Sequence, residues 1–458
     1  MSDVPVPAVP AAGHPGFLQR TFSSLRTRNY RLWFIGQTVS QSGTWMQSVA
    51  QYWLVYDLTH SAFDLGLTAA LQFAPVLAFG TIGGLVADRV DKRRVVLVTQ
   101  AAFTVQATIL WVLVATGSVH LWMVWALASC YGFVNVFDNP SRQSFVIEMV
   151  GSDELPNAVA LNSVIVNASR IIGPAVAGVL ITSVGLSWAF LLNAVSFAAV
   201  IGALLSMRPA ELFRRPPVAR ARGQIRAGLG YAWRAWELRI PLVMMAVIGT
   251  LSYNFSVLLP LFARVVFHRG AGTYSALTVA MGVGALGGGL LIAARQRPSH
   301  RLLVAVTLVF GAFMFGVAAA PTLALCLALL VAMGAFSIMF IATANSLLQL
   351  NSSGAMRGRV MALWAIVFLG STPIGAPVIG FIAGHDGARV ALSVGAAATV
   401  AVALWAGLEL RRVRRHAAAI ALAPGVDAVV PSTEESDLER AENATREASL
   451  EETLGSGH

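Results

Sequence analysis

Between residues 83 and 94 the chain reads Gly-Gly-Leu-Val-Ala-Asp-Arg-Val-Asp-Lys-Arg-Arg, and from Asp88 onward six of seven side chains are charged. Bases alone would hold a loop in water; acids set among them can form ion pairs and exchange them. Arg170 is a second candidate, because it lies deep in an otherwise apolar run, 157–183. An arginine at that depth costs about 2.5–3.5 kcal/mol on insertion scales and requires a partner or a water-filled cavity. Asp138 is the acid that topology places nearest. A third candidate is a stripe: Gln37, Gln41, Thr44, Ser48 and Gln51 fall within about 80° of one another at 100° per residue. Tyr131, Asn135, Asp138 and Arg142 repeat that pattern further along. Uncharged polar groups on one helix face suit either a ligand cavity or hydrogen bonds between helices. Tyr253, Asn254 and Ser256, and Ser337, Thr343, Asn345 and Gln349, are further polar sets open to both readings.

These residues sit in a chain built for lipid. Hydrophobic residues make up 56%, charged residues 12%, and the mean hydropathy is +0.69, against about 45–50% and about 25% in ordinary soluble domains. Too few charges remain to coat a water-facing surface. The net charge of +10 does not point to nucleic acid, because the basic residues gather between the apolar blocks or at their ends, as in membrane proteins. Cys130 and Cys326 fall inside apolar blocks with no CxxC or metal-ligand spacing and read as small apolar residues. No metal or cofactor is expected. Residues 1–16 have no basic region followed by an apolar core, so they read as a short disordered arm rather than a signal peptide.

A bilayer-spanning helix needs about 20 apolar residues. Blocks of that kind fall at about 33–56, 63–87, 95–117, 120–141, 157–183, 187–207, 240–262, 274–294, 302–320, 322–348, 359–384 and 388–409. They predict an all-α membrane protein of twelve transmembrane helices, with both termini on one side. Arg20, Arg26, Arg28, Arg31, Arg89, Lys92, Arg93, Arg94, Arg142, Arg295, Arg297, Arg301, Arg411 and Arg412, with the arginines of 208–239, lie on that side, against only Arg264, Arg269 and Arg389 on the other. The positive-inside rule makes the termini cytoplasmic. The expected parts are a cytoplasmic arm (1–30), a six-helix bundle (31–207), a basic linker (208–239), a second six-helix bundle (240–410) and a tail (411–458). The end of the tail is acidic and poor in apolar residues, so it should be disordered. A shift of 202 residues lays Gly132 on Gly334, Gly173 on Gly375 and Gly178 on Gly380. A shift of 204 lays Gly80, Gly83 and Gly84 on Gly284, Gly287 and Gly288. Parallel six-span halves are the plan of one large transporter fold.

At the loop between spans 2 and 3 the sequence resembles the major facilitator superfamily, whose signature there is Gly-x-x-x-Asp-Arg-x-Gly-Arg-Arg/Lys. Gly84, Asp88, Arg89, Lys92 and Arg93 match in order. Asp91 stands where the family usually has Gly, and Lys92 where it usually has Arg. Residues 43–59, 137–146 and 155–178 are similar to the branch of bacterial multidrug, macrolide and siderophore exporters. The resemblance covers roughly 28–410. It implies a cytoplasmic gate in which Asp88 meets the N-terminal end of span 11, near Arg357–Met361, where free amide groups favour a carboxylate by about 0.3–1 kcal/mol. Lys92 or Arg93 would meet an acid at the inner end of span 4, for which Asp138 is the candidate. Asp138 cannot satisfy Arg170 and Lys92 fully at once, so an exchange of partners and a static pair remain equally open. Spans 1, 4, 7 and 10 would line a central cavity. Gly173, Pro174 and Gly178 resemble the span-5 signature of antiporters, a bend that allows close packing.

The function expected is secondary active export of a small amphipathic organic molecule, of drug, macrolide or siderophore class, by alternating access. Proton coupling is implied by the family, with Asp138 the candidate carrier by elimination. An importer or lipid transporter on the same fold is the alternative. An enzyme is disfavoured: no Gly-x-x-x-x-Gly-Lys-Ser/Thr, no His-Glu-x-x-His and no nucleophile with a histidine partner occurs. The partners expected are the cargo, protons and the lipid of a bacterial cytoplasmic membrane, around a monomer.

Overall fold

Lipid offers no hydrogen bonds to a backbone, so apolar blocks of this length must close their bonds within each segment as helices. The computed structural model describes residues 22–213, 224–295 and 298–421, excluding the side chains of 88, 224–227, 355 and 416–421. The residues 1–21 and 422–458, with the expected arm and most of the tail, lie outside that description, as does the linker at 214–223. The first set of helices is α1 (Arg28–Thr59), α2 (Ala62–Arg89), α3 (Lys92–Ala115), α4 (Leu121–Val150), α5 (Leu155–Ser183) and α6 (Ser187–Leu205). A short linker helix, α7 (Gln224–Arg234), leads to α8 (Trp236–Leu251), α9 (Phe255–Leu261), α10 (Ala271–Ala294), α11 (His300–Ala319), α12 (Leu323–Leu350), α13 (Gly354–His385) and α14 (Ala388–Ala421). No strand occurs among the described residues. The described residues up to Ala406 form one compact unit; those from Gly407 belong to a second and are helical.

Among the described residues eleven stretches are long and apolar enough to cross a membrane, with α8, α9 and the turn that follows counted as one. The helix α1 is not among them although it runs for 32 residues. Its glutamines explain the difference, for they lower the hydropathy of a helix whose length is ample.

Two expected blocks fold differently. The block 240–262 is not one helix: α8 ends at Leu251, residues 252–254 are irregular, and α9 is followed by a π-helical turn, Phe262–Val266. Side chains compensate the broken ladder. Ser252 Oγ donates to the Gly395 carbonyl at 2.9 Å, and Asn254 Nδ2 donates to the Thr250 carbonyl at 2.8 Å. Pro260, which has no N–H to give, is part of α9. The block 120–141 continues as helix to Val150, past the charged residues that seemed to end it. Phe145, Val146, Met149 and Val150 are buried against Tyr30, Trp33, Val96, Leu161 and Leu204, which carries the helix beyond its apolar run.

Helix packing repeats. The helix α4 packs on α2 and α12 packs on α10; α2 packs on α13 and α10 packs on α5. The glycines matched by the 202-residue shift occupy equivalent contacts. A Cβ on Gly132 would lie 2.1 Å from the Gln72 carbonyl oxygen, and one on Gly334 would lie 2.1 Å from that of Met281. On Gly173 it would meet the Ser42 carbonyl of α1, and on Gly375 the Thr250 carbonyl of α8. Gly178 touches Ser275 of α10, and Gly380 touches Ala62 of α2. Close backbone approach is what holds helices together where lipid removes the hydrophobic drive. Replacing Gly132 with Ala should therefore lower stability by about 1–3 kcal/mol, the usual cost of overpacking. Gly202, whose Cβ would meet nothing within 4 Å, should accept Ala with no loss. Thermal unfolding of the two purified variants in detergent, followed by intrinsic fluorescence, separates these outcomes.

Candidate functional site

Two adjoining cavities lie among the helices. The first, about 320 Å³, is walled by Trp45, Tyr52, Phe73, Tyr253, Phe255, Tyr274 and Phe368, with contributions from α1, α2, α5, α8, α9, α10, α12 and α13. The second, about 380 Å³, is polar: Gln41, Thr44, Gln47, Ser48, Gln51, Gln72, Tyr131, Asn135, Asn139, Arg142 and Asn193 line it. Trp45, Ser48, Gln72, Phe73, Arg170 and Leu369 belong to both. Four of the five residues of the α1 stripe therefore face a cavity. The exception is Gln37, which is buried and accepts a hydrogen bond from Arg142 Nη1 at 3.2 Å. Gln72, on α2, was missed because a single polar residue on a hydrophobic helix has no periodicity to mark it.

Asn135 lines the polar cavity, while Asn254 and Asn345 line neither. Asn254 supports the irregular segment before α9, and Asn345 accepts from Gln349 on its own helix. From span 7 it is instead Tyr253 and Ser256 that reach the aromatic cavity, and from span 10 Ser337. Tyr253 donates to the Ser337 carbonyl at 3.0 Å, tying α12 to the break.

The expected charge pairs are rearranged. Asp138 does not meet Arg170. Its Oδ1 accepts from Thr99 Oγ1 at 2.7 Å and from Gln100 Nε2 at 3.0 Å, and Arg142 Nε lies 3.5 Å from its Oδ2. It is buried beside α3, away from the lining of either cavity. Lys92 pairs with Glu148 at 2.6 Å, not with Asp138, and Arg93 donates twice to the Leu204 carbonyl, at 2.9 and 2.8 Å. The physical reason is the extra length of α4: two further turns bring Glu148 opposite the start of α3. Asp91, the departure from the family pattern, caps α3 by accepting from the Arg94 amide at 3.2 Å. Gly84 is half-buried and Arg89 exposed at the end of α2. The Asp88 side chain lies outside the described residues. On the linker, the Tyr231 hydroxyl accepts from the Ser353 amide at 3.2 Å, just before α13, a bond that favours the phenolate and lowers its pKa.

Arg170 is left without a carboxylate. Among the described residues it forms no ion pair, and its buried Nε makes no hydrogen bond. The guanidinium stands 5.5 Å from the centre of the Trp45 ring, a cation–π contact. Gly173 lets α5 approach α1 beside that tryptophan: its Cβ would lie 2.6 Å from Trp45 Cβ. The helix α5 runs unbroken through Gly173, Pro174 and Gly178, so the role seen for these glycines is close packing.

The family signature described as transmembrane secretion effector matches residues 19–431. The chain belongs to that family, within the major facilitator superfamily. Among curated relatives it is 23% identical to the staphyloferrin A transporter of Staphylococcus aureus over 372 residues, covering 79% of this chain and 91% of that protein. It is 27% identical to the enterobactin exporter of Citrobacter koseri over 396 residues, covering 84% and 92%. A solved peptide transporter of the POT family, bound to a thioalcohol-conjugated peptide, superposes with a TM-score of 0.70 at 11% identity, over 86% of this chain and 99% of that one. The chain is thus a multi-pass helical membrane protein and a small-molecule transporter, not an enzyme.

The Lys92–Glu148 pair is mostly buried, with side-chain exposures of 15% and 10%. Glu148→Gln should cost about 1–3 kcal/mol by stranding the ammonium. Exchange of the two residues, Lys92→Glu with Glu148→Lys, should recover most of the loss. Melting midpoints of the single and double variants read both effects.

Proposed function

We propose that this protein exports a small amphipathic organic molecule by alternating access, in a bacterial cytoplasmic membrane. The observation that carries the reading is the joined pair of cavities, one aromatic and one rich in uncharged amides, walled by helices of both sequence halves. An apolar body with a few polar groups fits such a wall. The direction is supported by the family and by the relative described as an exporter. The relatives described as transporting siderophores favour that class of cargo over macrolides and drugs.

In this reading α1 is the twelfth span, 31–207 and 240–410 are the two moving bundles, and the chain works as a monomer with both termini cytoplasmic. The loop at Gly84, Asp88, Arg89, Lys92 and Arg93 is the inner gate, with Asp88 docking on the start of α13 when the gate closes. The close contacts between bundles support a gate of this kind. They run from the ends of the helices far from that loop, at Gly66 against Ala376, Gly380 against Ala62 and Gly178 against Ser275, to mid-helix, at Gly282 against Arg170 and Gly370 against Leu77. Near the loop, Cβ atoms on Gly80, Gly354 and Gly358 would meet nothing within 4 Å. That asymmetry suits a state closed outside and open inside. Proton coupling is the remaining component. Asp138, the candidate carrier, already accepts from two donors and pairs with Arg142, so a proton would have to compete with that set.

The test is accumulation of fluorescent siderophore conjugates, dyes and macrolides in efflux-deficient bacterial cells. Cells expressing the wild type should hold at least about tenfold less of one cargo than cells expressing Asp88→Asn, equivalent to about 1.4 kcal/mol. A protonophore should abolish the difference. Equal activity of Asp88→Asn would remove the gate; a protonophore without effect would remove proton coupling; accumulation raised by the wild type would turn the reading to uptake.

A further inference from the structure

Arg170 occupies an unusual electrostatic position. Among the described residues it is the one charged residue lining the aromatic cavity, and it also lines the polar one, so it stands where the two join. Among the described residues no carboxylate lines either cavity. Arg142, the other cation in the polar cavity, is answered by Asp138 and by the side-chain oxygens of Gln37 and Asn139. No carboxylate answers Arg170 among the described residues: its Nε is buried without a hydrogen bond, its guanidinium stands over the ring of Trp45, and the Tyr253 hydroxyl lies within electrostatic range of it. A ring face attracts the cation but accepts none of its in-plane N–H groups. The guanidinium is therefore held over Trp45 with its Nε–H unspent.

We propose that the cargo carries an anionic oxygen group of carboxylate type, and that Arg170 is its counter-ion. The inference rests on the transport reading above and narrows it. The fork matches two oxygens in its own plane, a geometry that lysine cannot supply. The apolar part of the same molecule lies in the aromatic cavity against Phe73, Tyr274 and Phe368, and its neutral polar groups meet Gln41, Gln51 and Gln72. A cationic cargo would bring a second positive charge to a site that has no carboxylate to receive it, so cations are rejected. Arg170 thus becomes a specificity residue and not half of a structural ion pair.

Three probes sharing one fluorophore test this: dansylglycine (anionic), dansylglycinamide (neutral) and dansylethylenediamine (cationic). Each is titrated by fluorescence anisotropy against the purified full-length protein in nanodiscs. The wild type should bind the anion about tenfold or more tighter than the amide, as expected for a charge-assisted bond, and bind the cation least. Arg170→Gln should remove the preference for the anion while moving affinity for the amide by less than about twofold, and that retained binding also shows that the variant is folded. Arg170→Lys should keep charge selectivity but bind the anion less tightly than the wild type. Equal binding of the three probes by the wild type, or an anion preference that survives Arg170→Gln, would overturn the proposal. Binding of none of them would remove the cavity as the cargo site and with it the transport reading on which the proposal rests. A competition arm separates sources of the anion. Soluble 1-naphthoate should displace dansylglycine at lower concentration than dihexanoyl phosphatidylglycerol does; the reverse order would assign Arg170 to lipid headgroups and overturn a soluble cargo.

Discussion

Everything in this molecule follows from one constraint: inside a bilayer a polar group must be answered by the protein or by a water-filled space, because lipid answers nothing. The helices satisfy the backbone. The interior side chains then sort by how they are answered. Gln47 donates to Gln106 at 3.2 Å and accepts from Asn193 at 2.7 Å, which ties α1, α3 and α6 into one bonded unit. Asp138 joins α4 to α3 through Thr99 and Gln100. These groups are spent on structure. Gln41, Gln51 and Arg170 are not, and they face the cavities.

The same constraint explains why so much of the fold was legible from the sequence. Apolar length and basic asymmetry are properties of single segments, and a helix is the one local structure open to them. The 202-residue glycine shift was readable for a related reason. A backbone-to-backbone approach within 3 Å of a would-be Cβ leaves no choice of residue, so Gly132 and Gly334, or Gly173 and Gly375, recur at matching places. The break at 252–254 was hidden because its repair is tertiary. It depends on Gly395 and Thr399, far along the chain, receiving Ser252.

The site was less legible, and the misses share a cause. The α1 stripe was visible as a periodicity, and four of its residues do line a cavity. The ion pairs were wrong because pairing depends on where a helix ends. Reading α4 as finished at 141 left Glu148 in a loop and made Asp138 the only acid within reach of Lys92. Hydropathy ends a helix where apolar residues thin out. This one continues because every third or fourth residue beyond that point, Phe145, Met149 and their neighbours, still has an apolar partner in α1, α5 and α6. Asp138 consequently served in the sequence reading as partner to two cations and in the structure serves neither.

Packing also limits which parts can move. The first six helices are bound to one another by buried amides, by the Lys92–Glu148 pair, by Arg93 on the last turn of α6 and by the aromatic cluster around Trp33 and Phe145. Shearing them would break several buried polar contacts at once, each with a desolvation penalty of about 1–3 kcal/mol. The seams of α2 with α13 and α5 with α10 are different. They rest on small residues such as Gly66, Gly178, Gly282 and Gly380, and on carbonyls and short side chains. Among the described residues no ion pair crosses them. A change of access that left the bonded unit intact would therefore run along those two seams. Arg170 and Trp45 sit beside them, on α5 and α1, so opening either seam alters the space around a cavity-lining guanidinium that has no carboxylate partner among the described residues.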